Sequence, residues 1–263
     1  MENHLNCRPE PNGQRAHWVQ ERIRPFTDRS LQTVVPSGFE RYVRICQPAW
    51  LWQEVDPEDS ETFSKIASGW YGHENATPIR WDDVAKETET IAHGRMQWYS
   101  IAPPKVEPGD AGVSYPIEYE ITQEMVETLF SILCEHSGED QECLCAFWQG
   151  YGIFDHLERA GNTKINGIGQ QEYFLFNASL GQIRAQWASV LEGRFETSGL
   201  APNALWPATR DWYYSVPIGP VTSYFGGPAN LIEKLRASTL ETYRAYLTDD
   251  IWNDDLNQSR NES

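Results

Sequence analysis

The feature that most constrains the fold is the run of aromatic residues and prolines between Ala201 and Leu235. Within it, Trp212–Val216 and Val221–Phe225 are rich in aromatic and β-branched residues, which suit half-buried strands. The segment Pro217–Pro220 ends the first strand, because proline cannot donate a hydrogen bond to a ladder. Gly226–Pro228 then predicts a turn into a helix. The run therefore predicts a strand, a turn, a second strand and a helix.

Elsewhere, helix and strand patterns follow one another without regular alternation. Gln123–His136 carries an apolar stripe and follows Thr122, a good N-cap residue. Cys143–Trp148 and Tyr173–Phe176 are continuous apolar runs, which are typical of strands buried on both faces. We therefore predict an α+β fold, a single domain with a mixed or mainly antiparallel sheet flanked by helices.

Several shorter patterns predict further elements. A helical face beginning at Trp81 predicts a helix that ends near Gly94, and Met96–Ile101 is predicted as a strand. The segment Gly161–Gly169 is predicted as a flexible loop. A helix that includes Ile183 and Trp187 is expected after Asn177 or Ser179, either of which could cap it.

The distribution of charge and proline predicts the domain limits. Residues 1–30 are predicted as a mobile N-terminal arm, 31–248 as one α+β domain, and 249–263 as an acidic tail. Trp18, Val19 and Ile23 could alternatively pin part of the arm as a short helix. The first 45 residues contain seven arginines and five acidic residues, so a basic arm could lie over an acidic body. The alternative is that these arginines are simply solvated. The proline-rich segment Ala102–Pro116 predicts either a linker or a long surface loop.

Composition limits the partners and the compartment. The formal net charge is −17, and phosphate backbones repel such a surface, so we expect no nucleic-acid partner. No stretch approaches the ~20 apolar residues of a membrane span, so we expect no membrane partner. The first 13 residues lack the apolar centre of a signal peptide, and the five cysteines show no disulfide spacing. We expect a soluble cytoplasmic protein.

Motifs that would identify a cofactor or a metal are missing. The sequence contains no phosphate-binding loop, nucleophile elbow or zinc-protease helix, so we predict no cofactor. Cys134, His136, Cys143 and Cys145 lie close together, but a C-x-C pair on a strand places both sulfurs on one face and needs further ligands from elsewhere. Free cysteine is among the most buried residue types, so we interpret these residues as core and predict no metal.

Aromatic residues and their polar neighbours are the candidates for a binding site. Exposed tryptophan, tyrosine and arginine are typical of interface hot spots, whereas the same rings could simply be core. No catalytic residue is predicted. The predicted binding residues are Trp148, Tyr151, Trp206, Arg210, Asp211, Trp212 and Tyr224.

Seven short motifs follow one another along the chain. They are Ser37–Ile45, Ile79–Ala85, Met96–Trp98, Phe147–Gly152 (F-W-x-G-Y-G), Tyr173–Phe176, Pro202–Trp212 (P-N-x-L-W-P-x-x-R-D-W) and Ser223–Gly227 (S-Y-F-G-G). Together they resemble a family of uncharacterised bacterial proteins with no established activity. Their order and their span, residues 37–236, favour one continuous unit and imply no chemistry. Relatives carry acidic residues where this chain has Ile218–Pro220, which weakens any acid-based site there.

Two functional hypotheses follow. The first is a protein-binding module, similar in outline to bacterial immunity proteins, that holds a partner on an aromatic, acid-rimmed surface. A basic partner is the favoured class, because opposite charges steer association. The alternative is an enzyme or small-ligand receptor with a pocket near His93, Gln97, Trp148 and Tyr151. We favour the non-enzymatic hypothesis.

Overall fold

A computed structural model describes residues 7–52, 76–102, 112–114, 116, 122–151, 164–168, 171–191 and 202–252. Within these ranges, helices and antiparallel sheets combine into one domain, which confirms the predicted α+β class. The strands are β1 (Arg8–Pro9), β2 (Arg41–Cys46), β3 (Ala49–Trp52), β4 (Ala76–Ile79), β5 (Gly112–Ser114), β6 (Glu142–Trp148), β7 (Lys164–Ile168), β8 (Gln171–Ser179), β9 (Ala204–Pro207), β10 (Tyr213–Ser215), β11 (Thr222–Gly227) and β12 (Thr242–Ala245).

The helices lie between these strands and differ in length. The longest has 15 residues and the shortest has four. They are α1 (His17–Arg22), α2 (Trp81–Glu87), α3 (Trp98–Ile101), α4 (Gln123–Ser137), α5 (Leu180–Leu191) and α6 (Ala229–Ala237).

Nine strands form one large antiparallel sheet in the order β1-β8-β6-β9-β10-β11-β2-β12, with β7 also paired to β8. The register places Cys145 opposite Phe176 and Ile45 opposite Ser223. Strand β2 therefore lies between two strands from the last part of the described chain, and β12 forms one edge of the sheet. A second sheet has three strands in the order β4-β3-β5.

Helices α4, α5 and α6 cover one face of the large sheet. Side chains alternate along β6, so Cys143, Cys145 and Phe147 point to this face and enter its core. Phe130 of α4 and Trp187 of α5 meet them there, with ring centroids 5.4 Å apart. Leu144 and Ala146 point to the opposite face and are also buried, which confirms that β6 is buried on both faces.

The opposite face is covered by residues 13–35, which contain α1 and three short 3-10 helices. Trp18 of α1 packs edge-on against Trp206 and Tyr213, at centroid distances of 6.3 and 6.1 Å. Strand β1 adds to the sheet beside β8. The described part of the predicted N-terminal arm, residues 7–30, is thus packed into the domain instead of extending from it.

The two ends of the described chain meet. Ser30 and Asp250 form a β-bridge, and the Leu31 N–H donates to the Asp249 carbonyl at 2.8 Å. The Ile251 N–H donates to Arg29, and the Ile251 side chain is buried. Residues 249–252 of the predicted acidic tail therefore belong to the domain, and 253–263 lie outside the described residues.

The small sheet packs with α2 and α3 at the end of β2. The Trp81 indole N–H donates to the Gln47 carbonyl at 2.7 Å, and the Arg44 guanidinium lies 5.0 Å from the Trp81 ring centroid. The Glu241 carboxylate accepts from the N–H groups of Trp81 and Asp82, each at 2.8 Å. This buried carboxylate satisfies the first turn of α2, which carries no capping side chain of its own.

Two predicted caps are confirmed. The Met125 N–H donates to the Thr122 hydroxyl at 3.2 Å, which starts α4 as expected. Of the two candidates for α5, Ser179 is the cap, because its hydroxyl accepts from the Gln182 N–H at 3.3 Å. In turn, the Ser179 N–H donates to the Gln182 side-chain oxygen at 2.9 Å, which completes a capping box.

Other predicted elements were wrong. Helix α2 ends at Glu87, well before Gly94, because Glu89 takes a left-handed φ of 54°. Met96–Ile101 is not a strand, since Trp98–Ile101 forms a helical turn. The predicted loop Gly161–Gly169 contains β7. Most of the proline-rich segment 102–116 lies outside the described residues.

The two glycines of the predicted turn, Gly226 and Gly227, belong to β11 instead. A side-chain carbon at Gly226 would lie 2.6 Å from the Phe39 ring, so this position needs glycine for close packing. The helix α6 begins after Pro228, as predicted.

Candidate functional site

Three of the predicted binding residues are core residues. Trp206 and Trp212 are 0% exposed and Tyr224 is 3% exposed. Trp206 stacks on Tyr213 with centroids 5.5 Å apart, and Trp212 stacks on Phe225 at 5.6 Å. The core alternative therefore holds for these rings, and they form no exposed surface.

The remaining predicted residues do not form one surface, because Arg210 and Asp211 are neighbours beyond the Cys143 end of β6, whereas Trp148 lies at the other end of that strand. Arg210 is exposed in a turn, with its guanidinium 5.8 Å from the Trp18 ring. Asp211 is exposed and contacts Thr209 and His136, the latter at 3.3 Å. Trp148 is half-buried, and its indole N–H donates to Gln171 at 3.0 Å.

The alternative pocket is not assembled from its four residues. His93 and Gln97 lie beside β12, whereas Trp148 ends β6. Five strand spacings separate β6 from β12, which is roughly 24 Å across the sheet. The Tyr151 side chain lies outside the described residues. A ligand of ordinary size therefore cannot contact both His93 and Trp148.

The loop between α2 and α3 lies against the free edge of β12. A side-chain carbon at Gly94 would come under 3.0 Å from the Arg244 carbonyl oxygen, so this glycine touches the strand backbone. The Cys46 N–H donates to Glu241, so alternation along the ladder turns the backbone groups of Arg244 outward. The loop therefore covers part of an edge that would otherwise be open to pairing.

Buried charged groups hold this loop in place. The Arg44 guanidinium, 3% exposed, donates to the carbonyls of Met96 and Gly94. Arg95 donates to the Asp249 carboxylate at 2.9 Å, and the Tyr246 N–H donates to the same carboxylate at 2.8 Å. The loop and the end of β12 are thus tied to one buried carboxylate.

Four exposed side chains lie on this loop and at the edge that it covers, and we call Ile91, His93, Arg244 and Tyr246 the edge patch. Ile91 is 80% exposed and Tyr246 is 49% exposed. The Arg244 guanidinium lies 5.9 Å from the Tyr246 ring, within cation–π range. His93 accepts the Arg95 N–H at its Nδ1, at 3.1 Å. Sequence reasoning found only His93, because an isolated apolar residue in a loop carries no pattern.

Four of the five cysteine thiols have pKa values above the usual range. Burial raises the pKa of Cys46 to about 12, and burial also raises the pKa values of Cys134, Cys143 and Cys145. These thiols stay protonated at neutral pH and are not activated nucleophiles. No group of three or more His, Cys, Asp or Glu side chains that could hold a metal ion occurs among the described residues.

Comparison with known proteins adds no relative: no family, no curated protein and no solved structure matches the chain. The resemblance to an uncharacterised bacterial family therefore rests on the sequence motifs alone. In the part of the chain that the structure describes, no helix combines the length and the hydropathy needed to cross a bilayer.

Proposed function

We propose that this chain is a protein-binding module and that its partner docks on the edge patch. The observation that carries the proposal is the 80% exposure of Ile91 on a loop held by buried charged groups. A loop that is already ordered loses little conformational entropy on binding. Burying an isoleucine side chain in an interface contributes about 1.5–3 kcal/mol. Tyrosine and arginine, which Tyr246 and Arg244 contribute at the edge that the loop covers, are enriched in interface hot spots.

Charge supports a particular class of partner. The net charge of −17 would steer a basic protein toward the chain, as expected for an acidic inhibitor of the immunity type. At the patch itself, Arg244 forms no salt bridge with any described residue and its guanidinium lies over the Tyr246 ring, so the partner should present hydrogen-bond acceptors there. Without such acceptors, the Arg244 guanidinium would lose its hydrogen bonds to water on binding and gain none in return.

We also propose that the chain works in the cytoplasm and does not bind nucleic acid. All five cysteines are free thiols, which supports a reducing compartment. The acidic balance opposes binding to a phosphate backbone. Membership of the bacterial family with the F-W-x-G-Y-G motif is part of the same proposal.

A photo-crosslinking experiment in two stages tests the docking site. A benzophenone amino acid is placed at position 91 and, as a matched control, at Ser131, which is exposed on α4. Both proteins are irradiated in extract of the native host cells. The protein joined specifically from position 91 is then purified, and its affinity is measured for the wild type, Ile91→Asp and Ser131→Asp.

We expect crosslinking from position 91 only, and affinity about tenfold or more weaker for Ile91→Asp with no change for Ser131→Asp. Added salt should slow association with a basic partner, since screening reduces steering. Equal crosslinking from both positions would contradict the proposal, as would unchanged affinity of Ile91→Asp.

A further inference from the structure

A second surface feature is an open cleft of about 280 Å³ where α4 begins, lined by the residues just before β12, whereas the edge patch lies toward the other end of that strand. Its walls come from β4, from the first turn of α4 and from the segment between α6 and β12. At about 30 Å³ per molecule, its volume matches roughly nine waters, which is the size of a small metabolite. Pro48, Pro78, Met125 and Leu240 provide its apolar surface.

Two opposite charges line this cleft without pairing. The Arg80 guanidinium donates to the Thr239 carbonyl at 3.1 Å and forms no salt bridge with any residue in the described ranges. The Glu124 carboxylate, exposed on the first turn of α4, likewise has no cationic partner among those residues. No salt bridge joins the two side chains to each other. Each charge is therefore available to a ligand.

The other ionisable groups in the cleft are already satisfied. Both oxygens of the Glu241 carboxylate accept hydrogen bonds, from the first N–H groups of α2 and from the Tyr243 hydroxyl at 3.0 Å. The Cys46 thiol is uncharged at neutral pH, because burial raises its pKa to about 12. The cleft thus offers one free positive charge, one free negative charge and an apolar wall.

We propose that this cleft binds a zwitterion of amino-acid size with an apolar side chain. Its carboxylate would contact Arg80, its ammonium group would contact Glu124, and its side chain would contact Met125 and Leu240. An arginine fork suits a carboxylate because it can donate two parallel hydrogen bonds. A ligand with only one charge would leave either Arg80 or Glu124 unpaired in the occupied cleft. This site is independent of the edge patch and of the proposed protein partner.

Calorimetric titration with defined probes tests this inference. The zwitterionic probes are L-leucine, L-methionine and L-phenylalanine. Two probes resemble leucine but carry one charge each: 4-methylpentanoate lacks the ammonium group, and 3-methylbutylamine lacks the carboxylate. The variants are Arg80→Gln and Glu124→Gln. Glu127→Gln is the matched control, because it removes the same charge from the next turn of α4, outside the cleft.

We expect at least one zwitterion to bind with a dissociation constant on the order of 0.1–1 mM, as is usual for ligands of about ten atoms. Arg80→Gln, Glu124→Gln and either singly charged probe should each weaken binding about tenfold or more, and Glu127→Gln should not. Both cleft variants change exposed side chains, and an unchanged circular dichroism spectrum would show that they fold. No binding of any zwitterion up to about 10 mM would overturn the inference. The inference would also be overturned if a singly charged probe bound as tightly as the best zwitterion. It would be overturned too if Arg80→Gln and Glu124→Gln both left the affinity for the zwitterion unchanged.

Discussion

Replacing Gly94 by alanine tests how the edge loop is held. The added methyl would lie under 3.0 Å from the Arg244 carbonyl oxygen, and a backbone atom cannot move away cheaply. Gly94 itself has no left-handed φ, so the effect would come from space and not from backbone strain. We expect the loop to shift away from β12.

The magnitude follows from three terms. Overpacking in a closely packed site costs about 1–3 kcal/mol. A shifted loop also weakens the bonds from Arg44 to the carbonyls of Met96 and Gly94, and a hydrogen bond from a charged donor contributes about 1.5–3 kcal/mol. Alanine offsets about 0.4–1 kcal/mol by restricting the unfolded chain. We expect a net loss of roughly 2–3 kcal/mol, which lowers the Tm by about 4–12 °C for a chain of this size.

Urea unfolding followed by tryptophan fluorescence measures the loss. The control is Gly181→Ala in α5, where the new carbon would be 3.4 Å from its nearest neighbour, Glu139. That substitution should be neutral or stabilising by up to about 1 kcal/mol, because alanine favours helix. Amide exchange at Arg244 should also increase in Gly94→Ala. If Gly94→Ala were as stable as Gly181→Ala, the loop would not be clamped against the strand as described.

Three further predictions concern the core. Glu241→Gln should lower the free energy of unfolding by about 1–3 kcal/mol in urea titrations, because an amide cannot accept at both atoms from the start of α2; unchanged stability would contradict this. Cys7 and Cys145 should stay thiols in air although their sulfurs are 3.8 Å apart, because both side chains are buried and burial raises the pKa of Cys145, so that little of the thiolate needed for disulfide formation is present. Alkylation in denaturant without reductant should label five cysteines, and labelling of three would refute the argument. Burial raises the pKa values of Tyr213 and Tyr214, so stability should hold up to the unfolded value near 10 and fall above it, as the unfolded phenols ionise first; a flat profile to pH 11 in urea titrations would be inconsistent.

The strands buried on both faces were predictable because continuous apolar runs leave few alternatives. Cys143–Trp148 and Tyr173–Phe176 each fall inside an observed strand. Caps were predictable for a similar reason, since the Thr122 and Ser179 hydroxyls act within three residues of their own positions. Both patterns depend only on residues close in sequence, so they do not depend on which distant segments pack nearby.

The features that could not be predicted from the sequence are those that depend on contacts between residues far apart in the chain. The sequence identified Trp18 as a residue that could pin the N-terminal arm, but its partners Trp206 and Tyr213 lie about 190 residues away in the chain and could not be predicted. The loop that carries Ile91 meets the end of β12 through contacts between residues far apart in sequence, such as the bonds of Arg95 and Tyr246 to Asp249. The predicted aromatic surface failed because tryptophan is equally suited to core and interface, and only the sheet order decides which.

The position of β2 has a consequence for biosynthesis. This strand emerges early from the ribosome but pairs with β11 and β12, which are made about 180 residues later. At about 5–20 residues per second, it waits on the order of 10–40 seconds with both backbone edges unpaired. A nascent chain stalled before residue 222 should therefore be protease-sensitive around residue 43 and a good client for chaperones.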